Sequence, residues 1–138
     1  MPPGNCSNKG LDTRQKILSA PNATPVISQN HHLSVIIGHF DPLTAAHARR
    51  ITDLRKTRSQ LIAIVTNPPQ PILKLSARTE LVAALEAIDY VIPVQDNTAT
   101  EILAVLRPGE VIEEEAADLD RTRELIAHVH RRQIAKEA

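Results

Sequence analysis

The sequence predicts an α/β domain built on a Rossmann-like, doubly wound parallel sheet of about four to five strands. Two observations lead there. From residue 33 onward, short apolar runs alternate with stretches of helical period, the pattern of successive βαβ units. The first apolar run, Leu33–Ile37, also ends in a Gly turn that leads at once into a helix, over Gly38–His47. Right-handed crossovers between such strands give a parallel sheet covered on both faces. Ligands of such sheets bind beyond the carboxyl ends of the strands, where this junction lies.

The elements follow in order. Leu33–Ile37 is an unbroken apolar run, as expected of a strand buried on both faces. Residues 45–55 read as a helix, with Leu43, His47, Ile51 and Leu54 on one face. Leu61–Val65 is a second strand, closed by Asn67, Pro68 and Pro69. Ser76 is placed to cap a helix over 77–88, with Leu81, Leu85 and Ile88 on its inner face. Tyr90–Val94 is a third strand, and Ala99–Leu106 a short helix stopped by Pro108 and Gly109. Val111 and Ile112 begin a short fourth strand. Residues 118–136 form a last helix, with Leu125, Ile126 and Val129 expected to face inward.

Residues 1–30 hold four of the ten prolines and two of the four glycines. They read as a partly disordered or surface-draped leader before a single domain over 31–138. Within the leader, Leu11–Leu18 carries enough apolar residues to dock loosely on the domain. Aromatic residues make up only 1% of the chain and apolar ones 42%, so aliphatic side chains and alanine must fill the core. Formal net charge is zero, which gives no sign of a nucleic-acid partner. No apolar run is long enough to span a bilayer and no signal-peptide core is visible; a cytoplasmic protein without a membrane partner is the expectation. The single cysteine, Cys6, excludes an internal disulfide framework and is expected to be an exposed bystander.

The junction after the first strand suits an anion. A strand end, a Gly turn and a helix start aim free backbone N–H groups, and the positive end of a helix dipole, at whatever sits above them. The wording Gly38-His39-Phe40-Asp41-Pro42-Leu43-Thr44-Ala45-Ala46-His47 also resembles the Gly-x-Phe-Asp-x-x-(Thr/His)-x-Gly-His motif of the cytidylyltransferase-like nucleotidyltransferases. The resemblance runs in order over residues 33–112. Leu61–Asn67 resembles the second strand of glycerol-phosphate cytidylyltransferases and heptose-phosphate adenylyltransferases. Residues 78–85 resemble their Arg-led helix, residues 88–93 their third strand, and residues 99–111 the helix, Arg-Pro turn and fourth strand. Two features depart from the pattern. Ala46 stands where the family has Gly, and no Ile-Ser-(Ser/Thr)-Thr turn follows residue 112.

The resemblance implies transfer of CMP or AMP from CTP or ATP to a phosphorylated small molecule, with release of pyrophosphate. Mg²⁺ would arrive with the nucleoside triphosphate. By the same resemblance His47 and Thr44 would touch the reacting phosphates. Gly38, His39, Phe40, Asp41, Lys74 and Arg78 would line the nucleotide. Read as ordinary residues, His47 is a satisfied inward histidine, Thr44 a helix cap, Phe40 a core residue, Asp41 a group that orients the turn, and Arg78 a solvated first-turn arginine. Arg121 and Arg123 could replace the phosphate ligands of the missing turn. Arg49 and Arg50 could edge the acceptor site. The acidic run Glu113–Glu115 reads as a solvated loop. His31, His32, His39, His128 and His130 lack the spacing of a metal site. Family members are often homodimers, and the apolar surfaces here permit that. The two departures favour an alternative: a catalytically inactive module of the same fold, with a nucleotide-binding, regulatory or assembly role.

Overall fold

The computed structural model describes residues 12–19, 32–95 and 99–137. Most of the expected leader, with Cys6, and also His31, lies outside the described residues. Four parallel strands form the sheet among the described residues: β1 (Leu33–Gly38), β2 (Gln60–Val65), β3 (Tyr90–Pro93) and β4 (Glu110–Glu113). Helices α1 (Ala45–Lys56), α2 (Leu75–Ala83), α3 (Ala99–Leu106) and α4 (Glu115–Glu137) alternate with them. The strand order is β3-β2-β1-β4. The chain thus winds outward from β1 to β3, then returns to the other side of β1. That reversal, between β1 and β4, is the switch point at which doubly wound sheets open a crevice.

Side-chain alternation on the strands divides the core in two. Leu33, Val35 and Ile37 join Ile62, Ile64 and Ile92 beneath Ile102 and Leu106 of α3. On the opposite face, Ile36, Leu61, Ala63, Val65 and Val91 pack under Ile51 of α1 and Val82 and Ala83 of α2. Residues 12–19 lie along β3: Ile17 forms a parallel bridge to Val91, and Leu18 donates its N–H to the Val91 carbonyl at 2.9 Å. That contact covers part of the sheet edge.

Three expectations need correction. The second helix covers Leu75–Ala83 rather than 77–88, with Lys74 at its cap position and no side-chain cap bond. Its buried residues are Arg78, Thr79, Val82 and Ala83, while Leu81 is 44% exposed. The inner face follows the arginine, because a cation inside the fold rotates the helix toward its acceptors. Ile88 is still buried, but in the turn that follows.

The last helix starts three residues early, at Glu115. Leu125, Ile126 and Val129 are not inward: they are 37%, 41% and 49% exposed. The first turns of α4 pack on the sheet end, and the apolar stripe farther along stays exposed. Finally, the acidic run is not a solvated loop. Glu113 ends β4, Glu114 is buried, and Glu115 opens α4.

The contrast between α1 and α4 is measurable. Ile51→Ala, in a fully packed position, should cost about 2–5 kcal/mol and lower the thermal midpoint accordingly. Ile126→Ala should stay within about 0.5–1 kcal/mol of wild type. Denaturant titration of both variants checks the assignment; equal losses would place Ile126 in a core.

Candidate functional site

The junction after β1 is shaped by its own hydrogen bonds. Thr44 caps α1: its hydroxyl accepts from the His47 N–H at 3.4 Å, and the Thr44 N–H donates to His47 Nδ1 at 3.1 Å. This is a reciprocal capping box with imidazole in the place usually taken by Glu or Gln. Because Nδ1 accepts, the ring proton belongs on Nε2. Nε2 points at Asp118 Oδ1, 2.7 Å away. Both ring nitrogens of His47 are thereby used within the protein.

Asp118 is the residue that sequence reasoning missed. It sits in the first turn of α4 and is 1% exposed. Its Oδ2 accepts the backbone N–H groups of His39 at 2.8 Å and Phe40 at 3.2 Å. Its Oδ1 accepts from His47 and from Arg121, the latter at 2.8 Å. Four donors therefore enclose one carboxylate. Burial alone would raise its pKa, but the bonds from His47, Phe40 and His39 and the attraction of His47 outweigh that and hold it below the ordinary carboxylate value.

The backbone is built for this approach. Phe40 adopts φ of 50°, a conformation rare for a bulky residue. Two successive amides can then face one oxygen as a nest. A Cβ at position 38 would lie 2.6 Å from Asp118 Oδ2 and 3.1 Å from the Phe40 ring. Gly38 is thus required by close packing of the chain on itself. Phe40 is fully buried, its ring 5.6 Å from that of His47. Ala46, in the first turn of α1, is exposed and helical, so its methyl group costs the fold nothing.

The other expected residues fall into two groups. Arg121 joins the cradle through Asp118, with Glu114 at 3.6 Å. His39 lies beside it, buried, with Nε2 3.5 Å from Glu115 and no partner for Nδ1. Arg50 pairs with Glu114, and the Thr66 hydroxyl donates to Glu115. Glu114 and Asp118 of the β4–α4 corner are thus buried, and Glu115, half-exposed at its rim, answers Thr66 and His39.

Asp41 does not face the cradle. Its carboxylate accepts the N–H groups of Ile72 at 2.7 Å and Leu73 at 2.9 Å, fixing the loop before α2. Lys74 is exposed at the start of α2, and Arg123 is exposed on α4 beside Asp120. Arg49 is exposed on α1.

Arg78 is not the solvated first-turn arginine of its ordinary reading. It is 0% exposed. Its guanidinium donates to the carbonyls of Leu73, His39 and Thr66 and to the Asn67 side chain. Five N–H groups in a fixed fork suit this use, and none is directed at solvent.

Among the described residues no group of three His, Cys, Asp or Glu is arranged to hold a metal ion. The carboxylates nearest the cradle are already matched by Arg50, Arg121, His39, His47 and Thr66, so they do not fit a protein-held Mg²⁺. No helix among the described residues is long and apolar enough to cross a membrane.

The fold and this junction define a doubly wound α/β domain with a ring of donors closed on the Asp118 carboxylate at its switch point. The chain belongs to the cytidylyltransferase-like family, whose model matches residues 35–136. It is 32% identical over 84 residues to the bifunctional protein HldE of Edwardsiella ictaluri, a match over 54% of this chain and 18% of that protein. The HldE of Hydrogenovibrio crunogenus is 26% identical over the same shares. The chain thus matches less than a fifth of the length of these curated relatives. A lipopolysaccharide core biosynthesis protein from Thermoplasma volcanium shares the fold, with a TM-score of 0.51 and 19% identity over 57% of this chain and 70% of that one.

Two outcomes follow from the buried charges. Arg78→Ala removes the donors for four acceptors and opens a void; it should cost at least about 3 kcal/mol in denaturant unfolding, and Arg78→Lys should recover only part of it. Burial lowers the pKa of His39 from the ordinary 6.5, against the opposing pull of Glu115 and Asp118. Below that value the unfolded chain binds a proton that the folded chain resists. The contribution of His39 is therefore fully kept above 6.5 and lost as pH falls toward the depressed folded value. Thermal midpoints of wild type should drop on mild acidification, and those of His39→Gln should drop less.

Proposed function

We propose that the chain performs the nucleotidyl transfer of its family: CMP or AMP passes from CTP or ATP to a sugar- or polyol-phosphate, and pyrophosphate leaves. One observation carries this reading. The amides of His39 and Phe40 and the Nε2–H of His47 converge, at the carboxyl end of β1, on the two oxygens of an anion. A carboxylate fills that position here, and a phosphoryl group presents the same pair of acceptor oxygens.

The chemistry asks little of the protein beyond placement. An oxygen of the acceptor phosphate attacks the α-phosphorus in line, a new phosphorus–oxygen bond forms, and the bond to the β-phosphate oxygen breaks. No covalent enzyme intermediate or strong base is required. The gain comes from alignment and from donors aimed at the charge developing on the phosphoryl oxygens. His47 is suited to that role because the Thr44 N–H fixes its donor nitrogen toward the cradle. Thr44 acts through that cap. Mg²⁺, on this reading, is carried by the triphosphate and not by a site of the protein.

A second reading, a catalytically silent module of the same fold, is favoured by the occupation of the cradle by Asp118 and by the use of the Arg78 guanidinium on acceptors within the protein. The two are separated by incubating the protein with Mg²⁺, CTP or ATP and a panel of sugar- and polyol-phosphates while pyrophosphate is measured. Transfer predicts release with at least one pair, lost by about a hundredfold or more in His47→Ala. The absence of release with every pair, and a thermal midpoint unmoved by any nucleotide, would establish the silent module.

A further inference from the structure

We propose that Asp118 is an internal occupant of the phosphate cradle, so that an anionic ligand and the first turn of α4 exclude one another. This rests on the reading of the β1–α1 junction as a phosphate cradle. It adds a closed state and names the latch.

The geometry leaves no room for both. The three junction donors are taken by the Asp118 carboxylate, the His39 and Phe40 amides on one oxygen and His47 Nε2 on the other, with Arg121 of α4 itself bonded to the second oxygen. The carboxylate rests so close to Gly38 that even a methyl group could not be inserted between them. His47 has no second free nitrogen, since Nδ1 is held by Thr44. A phosphoryl oxygen can reach these amides only where Asp118 now stands.

The occupant and the cradle come from different parts of the fold. The amides and His47 belong to the β1–α1 junction, whereas Asp118 belongs to the β4–α4 corner on the other side of the switch point. Glu114 and Glu115 of the same corner hold Arg50 and Thr66. Withdrawal of this corner would therefore free Arg50 from Glu114 and uncover the three junction donors, turning a neutralised site into a cationic one. Beyond its first two turns α4 is largely exposed, so few packed side chains oppose that withdrawal. The corner is held by Glu114 N–H on the Ile37 carbonyl at 2.7 Å and Thr122 on the Asp41 carbonyl at 2.7 Å.

The test compares wild type with Asp118→Ala and Asp118→Asn, folding being verified by circular dichroism. Pyrophosphate, then CTP and ATP with Mg²⁺, are titrated by calorimetry. The latch predicts pyrophosphate binding at least about tenfold tighter in Asp118→Ala than in wild type. Equal or weaker binding by both folded variants, including no binding at all, overturns it and leaves Asp118 as a support for His47. Should neither variant fold, wild type is titrated with pyrophosphate while the His47 imidazole nitrogen signals are followed by NMR. Loss of the bond to Asp118 supports the latch; its persistence throughout overturns it. Pyrophosphate captured by the variants with both nucleotides refused would keep the latch and remove nucleotidyl transfer. Nucleotides bound equally by wild type and variants would do the reverse.

Discussion

The carboxylate of Asp118 in its nest of donors is the interaction on which the rest of the site depends. A strand that ends in a glycine turn and passes straight into a helix leaves amides pointing at one spot. Buried amides without acceptors are costly, and a buried carboxylate without donors costs more. Each answers the other here: His39 N, Phe40 N, His47 Nε2 and Arg121 all reach the same group. The result ties the end of β1, the start of α1 and the start of α4 together. It also makes the state of the cradle and the position of α4 one question.

A second charge answers the opposite need at the same strand ends. The carboxyl ends of parallel strands present carbonyls as well as amides. The Arg78 guanidinium takes the carbonyls of His39, Thr66 and Leu73, and Asp118 takes the amides of His39 and Phe40. His39 is served on both sides of its peptide groups, by a cation and by an anion. This pairing explains why an arginine at the start of a helix is wholly inside, and why Asp118 is buried beside it in the fold. Buried charges are tolerated where each is surrounded by hydrogen bonds.

Membership of the cytidylyltransferase-like family sets the chemistry to which this architecture is related. The departures are local. Ala46 is an exposed first-turn residue and leaves the junction intact. The segment after β4 is the larger change, because it delivers a carboxylate and two further acids to the cradle. The chain supplies its own anion, the Asp118 carboxylate, to the donors of the junction.

Much of this was legible in the residues themselves. The strand closed by Asn67-Pro68-Pro69 and the helix stopped by Pro108-Gly109 could be read directly, because proline and glycine act on the backbone locally. The Gly38–His47 segment gave the junction, since a cap, a turn and a helix start are short-range events. The sequence could not say which way α2 and α4 are rotated. Leu81 and Ile126 look like core residues by period, and only the location of Arg78 and the end of the sheet decide otherwise. Nor could it show Asp118 reaching Phe40 across 78 positions of chain. An acid in the first turn of a helix is ordinary by itself; only the return of β4 to the side of β1 turns it toward the cradle. Local backbone chemistry thus determined an anion site after the first strand. The tertiary structure decided what fills it, because the donors and the acceptor lie on opposite sides of the switch point and meet only when the sheet is assembled.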